Sequence, residues 1–183
     1  IAVNPTATVN IVNNQDLCNG DATTAINFTS PTSGGGGSNI VFNWVNNTPS
    51  IGLAASGTGD IASFVANNAT LTPVTATITV TPTYTNGGVS CAGTPLSFTI
   101  MVLPTVTVNP VPDQGFCNGS VTPVINFSSP NSGGTINYTW DNSDPSIGLA
   151  AFGSGDLPSF TATNTTSSPV TAIITVRAQI LNT

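Results

Sequence analysis

Asp141 and Asp144 stand just after Trp140, and two carboxylates beside an aromatic platform are the core equipment of glycoside cleavage. The context argues against that chemistry. The run is Asp-Asn-Ser-Asp, and a closely similar stretch earlier in the chain has Val45 and Thr48 at the same places. Asp60 and Asp156 close the segments Gly-Thr-Gly-Asp and Gly-Ser-Gly-Asp, whose oxygens are of the type a calcium ion takes. A calcium loop gathers several acidic groups, however, and each segment has one. The expectation is a turn in which Asp accepts from nearby backbone N–H groups and Gly supplies a positive φ. Residues 34–37 are all glycine, but neither a lysine nor a helix follows to make a phosphate cradle, so they are read as a hairpin tip.

Composition narrows the chemistry further. The 183 residues contain one basic side chain, Arg177, seven aspartates, no histidine, no glutamate and no lysine. Without those groups most acid–base, Schiff-base and metal-hydrolase sites have no members, and neither a catalytic residue nor a cofactor or metal is expected. A net charge of -6 with a single cation also excludes nucleic acid as a partner. Charged residues are 4% of the chain, against about 25% in an ordinary soluble domain. The apolar fraction of 39% is nevertheless enough for a core, and the apolar runs are far shorter than the ~20 residues of a membrane span.

The elements that position these residues come in two copies. CNGDATTAINFTSP from Cys18 realigns with CNGSVTPVINFSSP from Cys117, an offset of 99 residues. Beyond the glycine tract the offset is 96: Trp44 meets Trp140, and PVTATITV from Pro73 meets PVTAIITV from Pro169. SIGLAASGTGD (residues 50–60) meets SIGLAAFGSGD (residues 146–156) with two changes in eleven positions. Such order-preserving self-similarity marks a repeat array. Its phase assigns residues 1–5 to the tail of a preceding copy, 6–104 to a first copy, and 105–183 to a second copy ending before its last strand.

Of the three cysteines, Cys18 and Cys91 belong to the first copy, while Cys117 would have its partner outside the chain. Cysteine arithmetic pairs Cys18 with Cys91 in an oxidising, extracytoplasmic setting; two buried free thiols in a cytosolic protein are the alternative.

Alternation of period two runs through Val74 to Val80, through Leu96, Phe98, Ile100 and Val102, and through Ile40, Phe42 and Trp44. Ala7, Val9 and Ile11 read as an opening strand, followed by Ile26 and Phe28. About seven short strands per ~100 residues point to antiparallel sandwiches. Trp44 and Trp140 are then core anchors between sheets. Tyr84 and Phe152 are the aromatics that this pattern leaves in loops. The sequons at Asn27, Asn68, Asn126, Asn137 and Asn164 follow from an Asn/Thr-rich composition. Between copies the chain passes through IMVLPTVTVN with no Gly/Ser linker, which predicts a semi-rigid junction.

The opening Cys-Asn-Gly, the strand Trp, PSIGLAASGTGD with its following Ser-Phe, PVTATITVTP, Cys-Ala-Gly-Thr-Pro and the closing FTIMVLP together resemble the PKD-like, immunoglobulin-like repeats of large Bacteroidota surface proteins. The resemblance covers essentially the whole chain. It implies an all-β fold of tandem immunoglobulin-like (PKD-like) antiparallel β-sandwiches. It also implies export by type IX secretion to the bacterial cell surface and a non-catalytic role as stalk repeats of an adhesin or filament. Neighbouring repeats are the implied partners, with self-assembly into a fibre, and no direct membrane insertion. A carbohydrate-binding module that uses loop residues to hold a surface glycan is the alternative function.

Overall fold

The computed structural model describes residues 3–33 and 39–181, so the glycine tract 34–37 lies outside the described residues. Its regular secondary structure is nearly all β, nine strands in two sheets with two short 3-10 turns among the described residues. The chain divides into two compact units, Ile1–Thr105 and Val106–Thr183.

The first unit carries β1 (Gln15–Cys18), β2 (Asn39–Asn46), β3 (Ser56–Thr58), β4 (Val74–Asn86), β5 (Val89–Ala92) and β6 (Leu96–Leu103). They form one sheet in the order β1-β6-β4-β2-β3, with β5 also pairing β4. Threonine–aliphatic alternation explains the long central strand: Ala76, Ile78 and Val80 are completely buried, while the threonines between them reach the other face. Pro82 sits inside β4 without breaking it. The β6 ladder ends at Val80 and the β5 ladder begins at Thr83, so the missing N–H falls where that side has no ladder partner.

Two features depart from the sequence expectation. β1 runs parallel to β6, so the sheet is not wholly antiparallel. The segment of Ala7, Val9 and Ile11 makes no strand ladder, and Ile11 points to solvent at 88% exposure. It is held instead by single bonds, such as Asn10 N–H to Thr29 O at 2.9 Å. Ile26 and Phe28 are buried as expected, yet only an isolated bridge joins Ile26 to Ile61. The sheet contributes Trp44, Ile78, Phe98 and Ile100 to the core. The remaining core residues come from outside the strands: Ile26, Phe28 and Ile61 from irregular chain, Ile51 from a short 3-10 turn, Pro49–Ile51, and Leu53 from the bend that follows it.

The second unit contains β7 (Thr135–Asn142), β8 (Phe152–Ser154) and β9 (Ile174–Leu181), ordered β8-β7-β9 and antiparallel throughout. Its core gathers Phe127, Trp140, Leu149 and Leu157.

Candidate functional site

The most specific constellation is built on the tryptophans. In the β2–β3 ladder Trp44 is opposite Gly57, and in β7–β8 Trp140 is opposite Gly153. Each indole covers its glycine so closely that a Cβ on Gly57 or Gly153 would stand 2.2 Å from ring carbon Cζ2. Two residues later Gly59 and Gly155 take φ of +71° and +73°, a conformation that favours glycine. This turns the chain so that Asp60 Oδ1 accepts from Phe28 N–H at 2.8 Å, and Asp156 Oδ1 from Phe127 N–H at 2.8 Å. A purely local turn would put these carboxylates on neighbouring N–H groups. Their observed partners are remote, because the turn aims each carboxylate across to the strand-less segment that covers the core. Both indole N–H groups are buried with no hydrogen-bond partner among the described residues.

Other polar side chains, not singled out from sequence, do similar work. Asn46 Nδ2 donates to Leu53 O at 3.0 Å while its Oδ1 accepts from Thr48 N–H, and Asn142 repeats this with Leu149 O and Asp144 N–H. Thr23 Oγ1 accepts from Phe64 N–H at 3.0 Å, and Thr122 Oγ1 from Phe160 N–H at the same distance. The available signal was their identity in both copies. Asn68 is buried and donates to Thr72 O and Val102 O, so that sequon asparagine is committed to the fold.

The carboxylates near Trp140 do not form a pair. Asp141 makes an exposed ion pair with Arg177 across the β7–β9 strands. Asp144 caps a short 3-10 turn, Pro145–Ile147, accepting from Ser146 N–H at 3.0 Å. Hydrogen bonding from Ser146 holds the Asp144 carboxyl below its ordinary pKa. Among the described residues no three His, Cys, Asp or Glu side chains converge to hold a metal ion.

The expected Cys18–Cys91 disulfide is absent; Cys18, Cys91 and Cys117 are free thiols. Strand register gives the reason. Cys18 is opposite Leu103, next to the Val102–Val74 pair, whereas Cys91 is opposite Tyr84. Val74 and Tyr84 are ten residues apart on β4, about 33 Å at ~3.3 Å per residue. A disulfide needs Cα atoms within roughly 7 Å. The two thiols therefore lie at opposite ends of the sheet. Cys91 lines a shallow depression with Val3, Asn4, Asn86, Gly87 and Val89.

Of the two aromatics read as loop residues, Tyr84 is 2% exposed within β4, a correction that follows from the continuation of that strand past Pro82. Phe152 lies in β8 and is 75% exposed.

No family model and no curated protein matches the chain.

Proposed function

We propose that this chain is a non-catalytic structural stalk segment of a large extracellular adhesin or surface filament, made of tandem immunoglobulin-like (PKD-like) β-sandwiches. The observation that carries the reading is the reuse of one architectural constellation. Trp, Gly and Asp recur at a constant sequence offset, with the same glycine–indole approach and the same 2.8 Å carboxylate bond. In both units these residues are consumed in joining the sheet to the chain that covers it. Extended chain facing a sheet across an apolar core is, on this reading, the second layer of a sandwich whose ladders are reduced to bridges.

The cell-surface setting rests on the family resemblance, since free thiols at opposite ends of a sheet supply no argument for an oxidising compartment. Scarcity of charge fits a fibre: Thr and Asn surfaces hydrogen-bond without the desolvation cost of ions, and salt screens them little. Neighbouring repeats are the partners in this reading. A glycan-binding role keeps Phe152 as its exposed aromatic and loses Tyr84.

Single-molecule stretching of the chain tests the proposal. Separate force peaks are expected, with extension steps on the order of 30 nm for ~100 residues. Featureless extension, or glycan binding abolished by Phe152→Ala, overturns the stalk reading. Protease shaving of producing cells tests the surface location, and complete protection of the chain on intact cells overturns it.

A further inference from the structure

The dipeptide Asn-Gly occurs three times, at Asn19-Gly20, Asn86-Gly87 and Asn118-Gly119. Asparagine is a thermolabile residue, and a following glycine has no side chain to shield its N–H from the asparagine carboxamide. In an open chain the glycine nitrogen attacks Cγ and closes a succinimide ring. A fold can block this by committing the glycine N–H as a donor and by holding the carboxamide in hydrogen bonds.

Asn19 and Asn118 are guarded in both ways. Gly20 N–H donates to Ala66 O at 2.8 Å, and Gly119 N–H to Ala162 O at 2.7 Å. Asn19 Oδ1 accepts from Asn68 N–H at 2.7 Å, and Asn118 Oδ1 from Asn164 N–H at 2.9 Å. Asn19 Nδ2 also donates to Thr105 Oγ1 at 2.9 Å. Each Cys-Asn-Gly turn is thereby tied to chain remote in sequence, and attack requires that these tethers break.

Asn86 is placed differently. It ends β4, and Gly87 and Gly88 lead into β5 with φ of +57° and +79°. Two positive φ values in succession are those of a type I′ turn, the usual closure of a two-residue hairpin. Gly87 is exposed, and its N–H has no hydrogen-bond partner among the described residues. No atom lies within 4 Å of a Cβ built on Gly87 or Gly88, so the tip is open to water. Asn86 Nδ2 donates to Asn4 Oδ1 at 3.2 Å, while its Oδ1 accepts no bond among the described residues. Bringing Gly87 N to Cγ requires Asn86 to leave its extended conformation. That opens only the last rung of the ladder, Asn86–Val89, at a hairpin end where local opening is easiest.

We propose that Asn86 is a site of spontaneous modification by water in the folded chain, and that the two Cys-Asn-Gly turns are protected from the same chemistry. Gly87 N bonds to Asn86 Cγ, the Cγ–Nδ2 bond breaks, and the amide nitrogen leaves as ammonia with the Gly87 proton. One water then opens the succinimide at either carbonyl, giving aspartate or isoaspartate. Either product adds a carboxylate to a chain whose net charge is -6 and whose one cation is Arg177. Isoaspartate also lengthens the main chain by a methylene at the end of β4. The Asn86–Val89 and Thr85–Ser90 rungs then lose register, and with them the 2.9 Å bond between the Thr85 and Ser90 hydroxyls. The site depends on the β4–β5 hairpin and goes beyond the stalk reading.

The test holds the full chain in mildly alkaline buffer and follows it by charge-variant chromatography, peptide mapping and isoaspartyl methyltransferase labelling. One acidic species should grow first and map to Asn86. Asn19 and Asn118 should react at least roughly 10-fold more slowly, because several hydrogen bonds must open before attack. In denaturant the three sites should converge, since the tethers are gone. Asn86→Gln should remove the early acidic species and leave the circular dichroism unchanged. Equal native rates at the three sites overturn the proposal. So does an Asn86 that reacts in denaturant but not in the native chain, or a lead for Asn86 that is as large in denaturant as in the native chain. None of these outcomes bears on the stalk reading, which the force peaks test separately.

Discussion

The Trp44 indole occupies the space a side chain at Gly57 would need: Cζ2 is 2.2 Å from the position of a Cβ. A methyl group there must displace a core ring that is 7% exposed, because the glycine backbone is fixed by the β2–β3 ladder. Gly57→Ala is expected to cost about 1–3 kcal/mol or more by overpacking. At Gly59 no atom lies within 4 Å of the added Cβ, and the cost is that of a positive φ, about 1–2 kcal/mol. Denaturant titration of the two variants checks the order. A Gly57→Ala protein as stable as the parent would show that the ring does not rest on the glycine.

Asp60 tests whether the turn that recurs at Asp156 is a metal loop or a clasp. Asp60→Ala removes the acceptor of Phe28 N–H, a partly buried bond, and should cost about 1–3 kcal/mol. Asp60→Asn keeps an oxygen there and should cost less. Amide exchange at Phe28 should accelerate in the alanine variant. Calcium or a chelator should leave the melting midpoint of the parent unchanged, and a calcium-dependent rise would reassign the loop.

The thiols give a direct chemical readout. Non-reducing digestion and mass spectrometry should recover Cys18 and Cys91 in separate peptides, and native alkylation should modify Cys18 and Cys117 faster than half-buried Cys91. A reductant should not shift the melting midpoint. A Cys18–Cys91 linked peptide would require a different register for β1 or β5.

Asp144 predicts a pH dependence that its counterpart Thr48 cannot have, as Thr48 makes no side-chain cap bond. Because the folded carboxyl has the lower pKa, its contribution is complete above the unfolded value of about 3.9. It is lost as pH falls through the folded value. Asp144→Asn should remove that part of the acid sensitivity, read from unfolding midpoints across the acidic range. An unchanged acid profile in the variant would place the dependence on another carboxylate.

Alternation made the strands around Trp44, Ile78 and Phe98 legible, because a period of two is a local property of the chain. What decided the cysteines was not local. Cys18 and Cys91 share a copy, and only the parallel pairing of β1 with β6 reveals that they sit at opposite ends. Tyr84 departs from the loop expectation for a related reason. Pro82 looks like the end of a strand until the gap between the β6 and β5 ladders is known. The carboxylate of Asp60 likewise meets a backbone N–H 32 positions away, a distance that no turn pattern encodes.

The same long-range pairing should make the two units unequal in stability. Val80 is fully buried between β2 and β6, while Val176 pairs with β7 and is half-buried. Amides with one ladder neighbour and incomplete burial open at lower free energy than those of a central strand. Native-state hydrogen exchange should therefore be faster along Ile174 to Val176 than along Ile78 to Val80, and denaturant should unfold the second unit first. Equal protection of the two stretches would mean that the edge of β9 is covered in solution.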